Sequence, residues 1–160
     1  MMRKPGAIRK KAGVRRLQLT LKSSMESVGQ AEAAVVEFAR KIGYSEPQLE
    51  QIGLAVIEAV ANAILHGNRC DAKKKVRVKA ARGKKGLEIS VQDEGEGFDA
   101  DALPDPLSPE TLLKDSGRGV FLVRACMDEV AVRRKPPKGT EVKMIKRAAK
   151  AHPATATKRT

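Results

Sequence analysis

A chain of 160 residues is long enough for one domain with a real core and short for two of ordinary size. Its 41% hydrophobic content, with 2% aromatic residues and no Trp, calls for a compact core of Val, Leu, Ile and Ala. The formal charge of +13 is gathered in the N-terminal segment, in KKKVRVKAARGKK from Lys73 and after Arg133; without interleaved aromatics, zinc spacing or a helix-turn-helix, it lacks the parts of specific nucleic-acid recognition, and solvation is the commoner use of such charge.

Cys70 and Cys126 have no metal-type spacing and read as reduced thiols of a cytosolic protein. No apolar run of signal-peptide length follows the basic start, and no span approaches a transmembrane helix, so the expected location is the cytoplasm, away from any membrane.

In chain order, residues 1–15 carry Gly, Pro and positive charge without periodicity and read as a disordered basic arm. Leu17, Leu19 and Leu21 alternate with polar residues, the pattern of a half-buried strand. Met25, Val28, Val35, Phe38 and Ile42 recur at helical spacing up to Gly43, a natural stop. Ser45 and Gln48 form a capping-box pattern with Pro47 in the first turn, opening a second helix that runs to Gly67. Val76, Val78 and Ala80, then Leu87, Ile89 and Val91, predict a β-hairpin whose basic side faces water. From Glu94 a Gly-, Pro- and Asp-rich stretch is long enough for a lid, with one short helix near Leu112. VFLVRACM predicts a short buried helix, and EVAVR, KPPKG and TEVKMIK a closing hairpin. Residues 148–160 read as a disordered tail, leaving 16–147 as the folded domain. Hairpins outnumber crossovers, which predicts an α+β fold: a two-layer sandwich of helices on a mainly antiparallel mixed sheet.

Glu58, Asn62 and His66 stand four apart on the otherwise apolar second helix, so they share one face. Apolar residues surround them and leave no broad solvated side, so the stripe is expected to face a cleft. Taken alone, a Glu and an Asn at this spacing are more often a solvated face, and a His after them a polar residue near a helix end. Asp93 continues the inward alternation of Leu87, Ile89 and Val91; a buried carboxylate requires a donor, which the exocyclic amino group of adenine supplies, whereas guanine presents an oxygen acceptor at that position. Gly95 and Gly97 beside it let backbone approach a ring, although a lone D-x-G-x-G is better explained as a tight turn with a surface Asp. Gly117 and Gly119 lead the next helix, whose free amides attract phosphate.

The ordered set of EAVANAILHGN, DEGEGFD, DPLSPE, GRGVFLV and GTEV resembles the anti-sigma-factor serine/threonine protein kinases of the GHKL ATPase superfamily, with its Bergerat fold, over about Leu17 to Lys146. The resemblance implies ATP and Mg²⁺ as cofactors, with Asn62 giving its side-chain oxygen to the metal and Glu58 acting as the catalytic base on a Ser or Thr hydroxyl of a partner. It implies nucleotide contacts from Asp93, Gly95, Gly97, Gly117 and Gly119, from Lys114 and Arg118 at the lid, from Thr140 through water, and from His66, for which capping of the helix is the competing role. It further implies a homodimer, an anti-anti-sigma (STAS-type) protein as phosphate acceptor and a sigma factor as the partner held. A nucleotide-switched binding module with little phosphotransfer is the alternative.

Overall fold

The computed structural model describes residues 10–11, 14–96 and 115–148. Strand β2 (Val14–Lys22) leads into helices α1 (Glu26–Lys41) and α2 (Glu46–Asn62), and a π-helical turn, Ala63–Gly67, prolongs α2. Next come β3 (Lys75–Arg82), β4 (Gly86–Gln92), α3 (Asp115–Cys126), β5 (Glu129–Arg134) and β6 (Thr140–Arg147). A two-residue strand, β1 (Lys10–Lys11), pairs with Val14 and Arg15, inside the segment expected to be a disordered arm. That pairing uses backbone groups alone and leaves no mark in the side-chain pattern.

The strand order is β1-β2-β3-β4-β6-β5, and every pairing is antiparallel, where a mixed sheet was expected. The reason lies in the crossings. Between β2 and β3 the chain makes two helical passes, α1 and then α2, and so re-enters the sheet antiparallel to its exit. Between β4 and β5 the described part of the connection is α3, and those two strands are codirectional; β6 inserts between them and pairs antiparallel with both.

The predicted alternation sets the register. Leu17, Ala80, Ile89, Met144 and Val130 lie in one row across the sheet, and Leu19, Val78, Val91, Val142 and Val132 in the next. These rows face the helices, and burying each large side chain contributes about 1.5–3 kcal/mol. On the other side Lys79 is exposed, while Arg77 is half-buried and pairs with Glu94 at 3.2 Å.

Helix α2 is the middle of the helical layer, packed on α1 and α3. It starts at the expected capping box, where Ser45 N–H donates to Gln48 Oε1 at 3.0 Å. Gly53 lets α1 come close, since a Cβ there would lie 3.3 Å from Glu32 and Val36 side-chain atoms. Residues Glu46–Gly67, 22 in all, reach the length and apolarity of a membrane helix, with a mean hydropathy of 1.3 over an 18-residue stretch, contrary to the sequence expectation. They do so because this is the core helix of the layer, with Ile52, Val56, Val60 and Ile64 fully buried. Its outward side is solvated after all: Leu54 and Leu65 are 39% and 42% exposed.

Buried polar groups, Tyr44 and Lys146 among them, fasten the helices to the sheet. Tyr44 Oη, in the α1–α2 loop, donates to Lys146 O at 2.5 Å and accepts Leu87 N–H at 2.8 Å. Lys146 Nζ donates to Gln51 Oε1 on α2 and to Cys126 O at the C-terminus of α3, both at 2.6 Å, where a cation is favoured by the helix dipole. Cys70 and Cys126 are both unpaired.

Candidate nucleotide-binding site

Asp93 leaves β4 on the side expected from the alternation and is 5% exposed. Its Oδ1 accepts Gly95 N–H at 2.9 Å, which closes a tight Asx turn, and Thr140 N–H at 3.1 Å from the start of β6. Its own N–H donates to Thr140 O at 3.0 Å. Burial pushes the Asp93 carboxyl above the usual carboxylate range; the Gly95 and Thr140 amides, and then the charge of Lys74, oppose that rise without cancelling it.

Three glycines make room for this carboxylate. A Cβ on Gly67, at the end of the π-turn, would collide with Asp93 Oδ2. One on Gly95 would run into Gly67 O, and one on Gly139, whose φ is +107°, into Asp93 O. Gly67 and Gly139 were legible only as a helix stop and a strand opening. Their closeness to Asp93 joins parts of the chain far apart in sequence.

The stripe on α2 is different in character. Glu58 and Asn62 are half-buried, and neither makes a side-chain hydrogen bond or ion pair among the described residues. Of the three stripe residues, Asn62 lines a small, chiefly apolar recess between α2, α3 and the sheet, together with Ala59, Val123, Val130, Val132 and Val142. Over its last turn the straight stripe is corrected. Asn68 N–H donates to Ala63 O at 2.7 Å, an i→i+5 bond, so four residues no longer complete a turn and His66 does not stack on Asn62. His66 is exposed there and, among the described residues, makes no side-chain bond that would cap the helix.

Of the remaining predicted site residues, Thr140 is buried at 5% exposure and engaged through its backbone. Gly117, Arg118 and Gly119 lie early in α3, which begins at Asp115, two residues before the first of these glycines. The first amides of such a helix have no partner within it. Gly97, Lys114 and the expected lid helix near Leu112 lie outside the described residues.

Asn68 was not singled out from the sequence. It is 1% exposed and fully bonded: Nδ2 donates to Ser23 Oγ at 2.7 Å and to Lys75 O at 3.0 Å, and Oδ1 accepts Glu94 N–H at 2.7 Å. The available signal was an Asn directly after a glycine-ended apolar helix, where side-chain bonds to nearby backbone are common.

A buried acceptor at Asp93, an acid and an amide on α2 that bond to nothing among the described residues, and the N-terminus of α3 are groups chemically suited to a nucleotide triphosphate. Comparison with known proteins points the same way. Residues 21–146 match the family described as histidine kinase-like ATPase domain. An anti-sigma F factor of Oceanobacillus iheyensis is 34% identical over 138 residues, 84% of this chain and 93% of that protein. The serine-protein kinase RsbW of Bacillus subtilis is 30% identical over 122 residues, 72% of this chain and 76% of its own length. Among solved structures, the RsbU and RsbW domains of a Mycobacterium tuberculosis protein superpose with a TM-score of 0.61 at 22% identity, covering 86% of this chain and 34% of that one. A Pseudomonas aeruginosa SiaB–SiaC complex gives 0.56 at 15% identity, over 80% and 87%. The fold is shared with both, and the chain belongs to the histidine kinase-like ATPase family, in its branch of anti-sigma-factor serine-protein kinases.

Proposed function

We propose that this chain is a Mg²⁺- and ATP-dependent serine/threonine protein kinase that acts as an anti-sigma factor in the cytoplasm, as a homodimer. It phosphorylates a Ser or Thr of an anti-anti-sigma partner of the STAS type and, when that partner is withdrawn, sequesters a sigma factor. The observation that carries the reading is the pairing of a buried acceptor at Asp93 with Glu58, one turn before Asn62, neither of which is bonded among the described residues.

The residues divide the work. Asp93 Oδ2 receives the exocyclic amino group of adenine, and the glycines at 67, 95 and 139 keep the ring's approach clear. Glu58 orients the partner's hydroxyl and takes its proton as the oxygen attacks. The first amides of α3 meet phosphate oxygens. No cluster of three or more His, Cys, Asp or Glu occurs among the described residues, so a metal here takes few protein ligands. The free amide oxygen of Asn62 suits Mg²⁺, which keeps most of its shell in water and phosphate and supplies neutralisation of the charge that develops on transfer.

The test is incubation with γ-labelled ATP, Mg²⁺ and candidate STAS-domain proteins. Label on a Ser or Thr of one of them is expected, and its loss when Mg²⁺ is chelated. ATP binding without transfer to any partner would favour a nucleotide-switched binding module instead.

A further inference from the structure

Asn68 has one amide group with two donors and an acceptor, and all are used at short range. What sets it apart from an ordinary satisfied core residue is where its partners lie. Ser23 follows β2 and itself donates to Lys74 O at 2.8 Å; Lys75 opens β3; the Glu94 amide belongs to the peptide unit that joins Asp93 to Glu94. The Glu94 side chain returns to the same place, accepting Lys75 N–H at 2.8 Å and pairing with Arg77. Gly67, the residue before Asn68, packs against Asp93 Oδ2. Asn68 thus holds the Asp93 carboxylate from both directions, through the peptide that follows it and through the glycine on which it rests.

We infer that Asn68 is a positioning residue that sets the base selectivity of the nucleotide pocket, by locking the peptide after Asp93 to the end of the π-turn. The inference rests on the reading of Asp93 as the acceptor for adenine. A carboxylate discriminates an amino donor from a carbonyl oxygen only if its angle is fixed, because hydrogen bonds weaken steeply with misalignment. When the Asn68–Glu94 bond is removed, the Asx turn at Asp93 gains freedom, and the pocket tolerates guanine better relative to adenine.

The full-length chain serves for the test, with Mg-ATP and Mg-GTP titrated into wild type, Asn68→Ala and Ser23→Ala and the thermal midpoint of each recorded. Ser23→Ala breaks the same network on the side away from Asp93. It should lower the midpoint yet leave the ATP-to-GTP affinity ratio within about twofold of wild type, whereas Asn68→Ala should lower that ratio by about tenfold or more, the worth of one well-aligned buried bond. Should the alanine variant not fold, Asn68→Ser, small and polar at the same place, is measured in the same way. An unchanged ratio in a folded Asn68 variant overturns the inference alone, as does a ratio that falls equally in Ser23→Ala, since the effect would then be general loosening. Equal affinity of the wild type for ATP and GTP overturns the Asp93 reading and this inference with it.

Discussion

The two ends of the site are built on opposite plans. Around Asp93 the chain is finished: the carboxylate is buried, two backbone amides bind one oxygen, and three glycines shape the space. Along α2, Glu58 and Asn62 are half-exposed and bonded to nothing among the described residues. On the proposed reading the base end is a fixed template and the phosphate end an unfinished one, to be completed by nucleotide, metal and acceptor. Rigid recognition is thus separated from chemistry, which needs groups free to change partners during the reaction.

If that contrast is right, substitutions at the open end should cost rate and those at the closed end should cost stability or selectivity. The largest effect is expected from Glu58→Gln, which keeps the shape and removes the base: transfer to the acceptor protein should fall by about 100-fold or more, while ATP affinity measured by calorimetry stays within about threefold. Wild-type transfer by this variant would show that Glu58 is not the base. Next is Gly67→Ala, where the new methyl meets Asp93 Oδ2 and Gly67 cannot move without disturbing Gly95. A loss of about 1–3 kcal/mol in denaturant unfolding is expected, as for other overpacked sites. Stability unchanged by that substitution would mean the closed end is looser than its contacts imply.

Asp93→Asn sharpens the comparison differently, because it retains an oxygen for the two amides and removes a buried charge. The ligand-free protein should be as stable as wild type or more so, by up to about 1 kcal/mol, while ATP affinity falls; function and stability are often opposed at such sites. The smallest effect concerns pH. Burial raises the folded-state value of the Asp93 carboxyl, so this group favours the folded ligand-free chain most below its unfolded value, and that contribution is lost as pH rises through the raised one. ATP, by contrast, needs the ionised form, so its affinity should weaken as pH falls toward that raised value, by less in Asp93→Asn than in wild type. Calorimetry between neutral and mildly acidic pH reads the difference.

Much of the closed end was legible in the sequence, and for a definite reason. Alternation along β4 is a strict two-residue period, so extending it from Leu87 to Asp93 foretold the burial of that carboxylate, and the cross-strand rows confirm the pattern residue by residue. The π-turn was not legible. Over a single turn an apolar run such as Ala63–Leu65 fits i→i+4 and i→i+5 bonding equally well, and only the observed Asn68–Ala63 bond distinguishes them. Nor were the roles of Asn68, Tyr44 and Lys146, whose partners include backbone carbonyls or amides of other elements and therefore impose no residue type on them. Hydrophobic periodicity carries the layers; the polar ties between layers depend on which segments come to lie side by side.

The hydroxyl that fastens the helix hairpin to β4 and β6 also gives the protein a built-in optical reporter. Tyr44 is the sole tyrosine, and the chain has no tryptophan, so ultraviolet emission excited in the tyrosine band arises from one place. That place is the Leu87 end of β4, about 20 Å along the strand from Asp93 at some 3.3 Å per residue. A phenol bonded to a backbone carbonyl and closed off from water changes its emission when the hairpin lifts from the sheet. On the proposed assignment of Asp93, nucleotide occupies the far end of the strand, away from this ring. Unfolding and ligand occupancy can therefore be followed independently in the unlabelled chain, the first by intrinsic emission and the second by any signal carried on the nucleotide.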